Sequence, residues 1–313
     1  MKIQSLSIHV PTGTCLNNCA CCVSRMHESP YENRIGDAIK DTTHFHSSSL
    51  RAEEEYIRRL QFAKDNGVNT IILTGTGEAI QNKPFLRWFD GINRGVGFRW
   101  IELQTAGNLL LKFTKENKSS DKIFFYENFA FFKDIGVSTI SLSLFDIFDS
   151  KQNSKLVSLP QNHYFEIDEL CKKTKDFHFN LRLSLNISDV YNKYSIEQIF
   201  DRAKKLNADQ ITFRKLYTSK ECNTPQDEWI LEHPINEHFF DNLNNYVVKN
   251  GVFLGRLPFG AMKYSINDVS VVVDDNCMDD ATKREDLDSY KYLILRPNCK
   301  LYSDWNTKGS LIF

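Results

Sequence analysis

The chain carries almost no net charge, 39 Lys and Arg standing against 40 Asp and Glu. That balance removes any electrostatic argument for nucleic acid or an anionic membrane as partner, while a local basic patch, and with it an RNA substrate, stays open. No apolar run is long enough to span a bilayer, and the opening segment Ile3–Val10 is too short and too polar for a secretory signal. A cytoplasmic protein without a membrane partner is the expectation. Internal repeats and low-complexity linkers are lacking too. What remains is 313 residues with 41% hydrophobic content, enough for one large core with or without an addition.

Eight cysteines are unevenly spread. Four crowd together as Cys15, Cys19, Cys21 and Cys22, while Cys171, Cys222, Cys277 and Cys299 are scattered. Disulfide frameworks belong to small secreted domains, and nothing here reads as one. Clustered thiols in a reducing compartment point to metal.

Segments rich in β-branched residues alternate with helical patterns as far as residue 217. Candidate strands are Ile3–Val10, Thr70–Leu73, Trp100–Leu103, Thr139–Leu144, Asn180–Leu185 and Gln210–Leu216. Between them, Tyr56, Ile57, Leu60 and Ala63 stripe one helix that follows Ser49 and stops at Gly67. Phe124, Phe125, Phe129 and Phe132 stripe another. Ser195 and Gln198 form a capping box ahead of a third. A last helix is expected from Pro234 to Gly251. Six strands with intervening helices imply an α/β fold with a parallel sheet, either an open doubly wound sheet or a partial barrel. In both, chemistry sits where loops leave the carboxyl ends of the strands. The segment Val23–Ser49 is long enough to suggest a lid or binding loop. After Gly251 come shorter pieces, Val269–Val273, Tyr292–Leu295 and Lys300–Tyr302, which read as a small C-terminal β appendage.

The first strand leads into Cys15-Leu-Asn-Asn-Cys19-Ala-Cys-Cys22. One loop can aim three thiolates at an iron–sulfur cluster and leave one iron open. A structural zinc site is the competing reading, with His27 as fourth ligand. After the second strand stands Gly75-Thr76-Gly77-Glu78, where strand-end carbonyls and a carboxylate can accept hydrogen bonds from an ammonium group. The third strand ends in Gln104-Thr105-Ala106-Gly107. Ser141 and Ser143 share a face of the fourth, and Arg182, Ser184 and Asn186 a face of the fifth. Thr212 and Arg214 do the same on the sixth. An inward arginine requires an anionic partner; an outward one is only surface.

This order of segments resembles the radical S-adenosylmethionine (SAM) superfamily, through the spacing of three and then two residues between Cys15, Cys19 and Cys22. Cys21 stands where an aromatic residue is usual, which makes it an alternative ligand. Thr76-Gly77-Glu78 resembles the family's Gly-Gly-Glu motif with Thr for the first Gly. Residues 104–107 resemble its Thr-Asn-Gly segment with Ala for Asn, and Ile140–Asp146 its serine-bearing strand. The resemblance covers roughly residues 1–217 and implies a partial (β/α)6 barrel as the core, with residues 218–313 contributing to the substrate site. It implies a 4Fe-4S cluster on Cys15, Cys19 and Cys22, and SAM held by Gly75, Thr76, Gly77, Glu78, Gln104, Thr105, Ser141, Ser143 and Arg182. SAM cleavage to a 5′-deoxyadenosyl radical follows, with an electron donor such as flavodoxin or ferredoxin. The substrate is expected to be a nucleotide, nucleoside or other small metabolite, with RNA or a peptide as alternatives. Cys222, Cys277 and Cys299 could bind a second cluster, which their wide spacing disfavours. The acidic run Asp274, Asp275, Asp279 and Asp280 reads as a solvated loop. A zinc-stabilised, non-catalytic binding protein is the rival of another class.

Overall fold

A computed structural model describes residues 2–12, 15–26, 50–111, 127–158, 164–219, 223–257, 261–273, 289–305 and 309–313. His27, Phe124, Phe125, Cys222, Cys277 and the acidic run lie outside these residues, as does most of the long loop after Val23.

The strands are β1 (Lys2–His9), β2 (Thr70–Thr74), β3 (Trp100–Thr105), β4 (Thr139–Leu144), β5 (Asn180–Ile187), β6 (Gln210–Lys215), β7 (Val252–Arg256), β8 (Met262–Ile266), β9 (Val269–Val273), β10 (Ser289–Leu295) and β11 (Leu301–Tyr302). The helices are α1 (Val23–Met26), α2 (Leu50–Asp65), α3 (Lys83–Val96), α4 (127–134), α5 (Ser150–Leu156), α6 (Ile167–Asp176), α7 (Ile196–Lys205), α8 (Pro225–Glu232) and α9 (Phe239–Asn250). Their ends follow local chemistry. Asn82 caps α3 by accepting from the Phe85 N–H, and Gly97 closes it at φ 83°. The Ser195–Gln198 capping box opens α7 as expected. A second box, Thr224 with Asp227, opens α8 ahead of Pro225 at its first turn. The helix expected from Pro234 starts only at Phe239, though Gly251 does follow its end.

All strands join one sheet in the order β11-β10-β1-β2-β3-β4-β5-β6-β9-β8-β7. β1 to β6 are parallel and lie in sequence order. The reversal of order that defines a doubly wound sheet is therefore missing. The C-terminal strands expected as a β appendage belong to this same sheet. β10 runs parallel to β1 along Lys2↔Ser289 to Ile8↔Leu295, and β9 runs parallel to β6 through Gln210↔Ser270 and Ile211↔Val271. The late strands thus extend the main sheet at both edges, where unpaired backbone N–H and C=O groups of β1 and β6 would otherwise need partners. Leu293, Ile294 and Leu295 of β10 are fully buried, as an interior strand requires.

Alternation splits the sheet into two unlike faces. Leu6, Ile8, Ile71, Leu73, Ile101, Leu103, Ile140, Leu142, Leu183, Leu185 and Phe213 join one core with Tyr56, Leu60, Phe89, Phe129, Leu170, Phe200 and Leu243 of the helices. The alternate positions are mostly polar: Ser5, Ser7 and His9 of β1, Glu102 and Gln104 of β3, Ser141 and Ser143 of β4, Arg182, Ser184 and Asn186 of β5, and Gln210, Thr212 and Arg214 of β6, with Ile72 of β2 and Ile294 of β10 in register with Ser7. A parallel sheet with one apolar, helix-covered face and one polar face has somewhere to put chemistry. No helix among the described residues is long and apolar enough to cross a membrane.

Candidate functional site

The cysteine loop leaves the carboxyl end of β1, beside the exits of β2 and β3. Cys15, Cys19 and Cys22 are partly accessible, whereas Cys21 is buried in a small apolar cluster with Ala106, Phe145 and Val157. Cys22 closes a turn by donating its N–H to the Cys19 carbonyl at 3.2 Å. Two further backbone bonds fasten the loop to the end of α5, from Asn18 N–H to Val157 O (3.3 Å) and from Ala20 N–H to Leu156 O (3.0 Å). These contacts separate the adjacent pair of cysteines: Cys21 fills a packing position and Cys22 stays with the accessible thiols.

The β2 exit packs against this loop at distances only glycine permits. A Cβ on Gly75 would stand 2.5 Å from the Val10 carbonyl oxygen. On Gly77 it would meet the Thr12 hydroxyl at 2.5 Å and Cys15 Cα and Cβ at 3.3 Å. Thr76 sits between them, half-buried. Glu78 is only 7% exposed. Its Oε1 accepts from the Asn17 amide (3.2 Å) and the Ala106 N–H (2.9 Å), and its Oε2 accepts from the Thr105 hydroxyl. Thr105 in turn accepts from the Gly107 N–H at 2.9 Å. Burial pushes the Glu78 pKa up, and its hydrogen bonds with Thr105, Ala106 and Asn17 pull the other way.

On the polar sheet face, Arg182 has its anion within the chain. Its guanidinium pairs with the Glu102 carboxylate at 2.6 Å and donates to Gln210 Oε1 at 2.8 and 2.6 Å. Of its two possible orientations, Arg182 therefore takes the one facing the polar side. Gln104 donates weakly to Glu102 at 3.4 Å, so Gln104 and Arg182 belong to one group centred on Glu102. Ser143 accepts from the Asn186 amide at 3.2 Å. The buried hydroxyls of Ser141 and Ser184 find no hydrogen-bond partner among the described residues. Arg214 stands beside Asn186 in register and lines a small cleft with Cys21, Val23 and Met26. The nine SAM-site candidates therefore fall into two groups. Gly75, Thr76, Gly77, Glu78 and Thr105 adjoin the cysteine loop, while Gln104, Ser141, Ser143 and Arg182 lie on the sheet face.

Burial raises the Cys15 pKa, with Glu78 and Cys22 adding. Cys19 is pushed well above the usual thiol range by burial, then by the nearby Cys22 and Glu78. Cys15 and Cys19 are thus disfavoured as thiolates, and a metal-bearing group would supply the compensating positive charge. Among the described residues no three His, Cys, Asp or Glu side chains are placed to share a single metal ion. His27, the fourth ligand of the zinc alternative, lies outside these residues. Three thiols carried on one loop are donors of the kind an iron–sulfur cluster takes. Of the late cysteines, Cys299 packs in the main core with helix and strand side chains, its pKa pushed up to about 11 by burial.

Sequence reading missed Asn17, Asn108, Glu102 and Gln210. Asn17 and Asn108 are both buried and bond each other side chain to side chain.

No family model matches the sequence. No curated protein matches it either. Among solved structures, coproporphyrinogen III oxidase from Escherichia coli, a radical SAM enzyme, superposes with a TM-score of 0.50 at 15% identity. The match covers 85% of this chain and 56% of that one, so the chain spans little more than half the length of that enzyme. A xylose isomerase-like TIM barrel/4-hydroxyphenylpyruvate dioxygenase fusion protein aligns over 88% of this chain and 56% of its own at 6% identity, with a TM-score of 0.29 too low to carry an argument. At such identities the likeness is one of fold: a mixed α/β chain with a parallel sheet, similar in architecture to a radical SAM enzyme.

Proposed function

We propose that this chain is a radical SAM enzyme, with a 4Fe-4S cluster on Cys15, Cys19 and Cys22. The observation that carries the reading is the position of the loop bearing those three partly accessible thiols, at the carboxyl end of β1 with Cys15 against the Gly75–Glu78 turn at the end of β2. The fold likeness to a radical SAM enzyme and the sequential order of β1 to β6 support it. That order suits the partial barrel expected for residues 1–217.

Bound SAM would contribute its sulfonium, whose reductive cleavage at the cluster yields methionine and a 5′-deoxyadenosyl radical that takes hydrogen from a substrate. The chain's own residues bind and orient. Backbone carbonyls of Gly75, Thr76 and Gly77, with the negative charge of Glu78, suit the ammonium of the methionine end. Thr105, and the Ser141 hydroxyl, which has no partner among the described residues, with Ser143, suit the remaining polar groups. Gln104 and Arg182, tied to Glu102, would form the polar floor of the site. Residues 218–313 and the loop after Val23 would shape the pocket of a nucleotide, nucleoside or small metabolite. A flavodoxin- or ferredoxin-like protein would supply the electron.

The test separates this reading from a zinc-stabilised binding protein. Protein purified without oxygen and reconstituted with iron and sulfide should be brown and hold about four irons per chain, the number a 4Fe-4S cluster requires. Stoichiometric zinc and no iron would overturn it.

A further inference from the structure

Polarity is inverted within the cysteine loop. Leu16 is 51% exposed, while the neighbouring Asn17 is 2% exposed. A buried amide is tolerated only where its donors and acceptor are satisfied, and those of Asn17 are. Its Nδ2 donates to Glu78 Oε1 at 3.2 Å and to Asn108 Oδ1 at 3.1 Å, and its Oδ1 accepts from Asn108 Nδ2 at 2.9 Å. Its backbone carbonyl accepts from the Arg25 guanidinium at 3.2 Å. Glu78 is itself held by Thr105 and the Ala106 N–H, both at the exit of β3. The side chain therefore ties the loop to two strand ends at once, across 61 and 91 residues of sequence.

We propose that Asn17 is the positioning residue of the cysteine loop, and that its buried hydrogen bond to Glu78 latches Cys15 and Cys19 in place. Asn17 lies two residues from each of them, so fixing its side chain fixes the backbone that carries both thiols. The latch gives Glu78 a task beyond contact with any ligand. Its carboxylate is one end of the bond that sets where the thiols stand, and charge on the acceptor makes that bond stronger than a neutral one. These hydrogen bonds are made by side chains and backbone of the chain alone; their consequence for cluster geometry rests on the radical SAM reading.

The test begins on the full chain without iron. Alkylation of each cysteine by iodoacetamide is followed by mass spectrometry in the wild type, N17A, N17D, E78Q and the exchanged pair N17D/E78Q. Removing a charge-assisted bond should open the loop about 10- to 100-fold more often, and Cys15 and Cys19 should react faster in proportion in N17A. N17D sets two carboxylates against each other and should behave likewise. The exchanged pair removes the carboxylate–carboxylate repulsion of N17D, but an amide nitrogen at position 78 cannot also accept from the Ala106 N–H. Its rates should therefore fall between those of N17D and wild type. Cys171, buried in the core, reports global opening and should stay slow in every variant.

Unchanged Cys15 and Cys19 rates in N17A would overturn the latch. So would a parallel rise at Cys171, or rates in the exchanged pair as high as those of N17D. After anaerobic reconstitution, N17A should also show an altered electron paramagnetic resonance spectrum of the reduced cluster. If wild type itself takes up no iron, the radical SAM reading fails while the alkylation result still decides the latch.

Discussion

Arg182 and Glu102 form an ion pair of 2.6 Å across the polar face of the sheet, bridging β5 and β3 over the intervening β4. Glu102 is only 3% exposed, so the guanidinium is what makes its burial tolerable. Removing one partner of such a pair leaves an uncompensated charge and costs about 3–5 kcal/mol at full burial; Arg182 is partly exposed, so roughly 2–3 kcal/mol is expected. R182A should lower the denaturant midpoint accordingly, and E102Q/R182M should recover much of that loss. Intact stability in R182A together with lost SAM affinity would make Arg182 a ligand contact instead.

The adjacent cysteines should part company. C19A is expected to lose the cluster, because two thiolates cannot hold its three-point seat. C21A removes a small side chain from the cluster of Ala106, Phe145 and Val157 and should cost about 1 kcal/mol of stability. Its iron content should match wild type. Iron analysis of the two variants side by side checks the assignment, and a larger loss in C21A would reverse it.

Much of the architecture was legible in the sequence, and its gaps have a common cause. β-Branched runs located β1 to β6, and Val269–Val273 matched β9 end for end. Periodicity is local, so it could place those strands without saying which ones pair. The β1–β10 ladder joins residues at opposite ends of the chain, from Lys2↔Ser289 onward, and no local pattern announces it. The α8 helix was overlooked although Thr224, Pro225 and Asp227 together spell its start. In the site, Cys15, Cys19 and Cys22 stood out by spacing. Asn17 did not, because an asparagine in a loop looks like ordinary turn chemistry until its partners appear from two other strand exits. Arg182 showed that a counter-charge was needed, and only the sheet shows that Glu102 provides it.

Cys299 is a packing residue in this account. Its thiol is buried in the main core, and C299S should cost about 1–2 kcal/mol by leaving a hydroxyl there. Iron content should be unaffected. Loss of iron in C299S would revive a second cluster shared with Cys222 and Cys277.

His9 gives the fold a pH dependence of definite sign. Burial, then the Arg296 charge, lower its pKa from 6.5 to about 3. Between those values the unfolded chain takes up a proton that the folded chain refuses, so stability is full above about pH 6.5 and falls as the pH drops through this window. The slope is about 1.4 kcal/mol per pH unit once the unfolded histidine is protonated. Urea melts from pH 7 to pH 4.5 should show this loss in wild type and a flatter profile in H9Q. Parallel profiles would mean that His9 charges freely in the folded chain.

Formation of 5′-deoxyadenosine measures the central claim most directly. Anaerobically reconstituted protein is reduced in the presence of SAM, and methionine and 5′-deoxyadenosine are quantified against C19A treated identically. The account predicts both products in equal amounts from wild type, at the slow rate of cleavage uncoupled from substrate, and neither from C19A. Reconstituted wild-type protein that holds a reduced cluster and SAM yet forms no 5′-deoxyadenosine would contradict it.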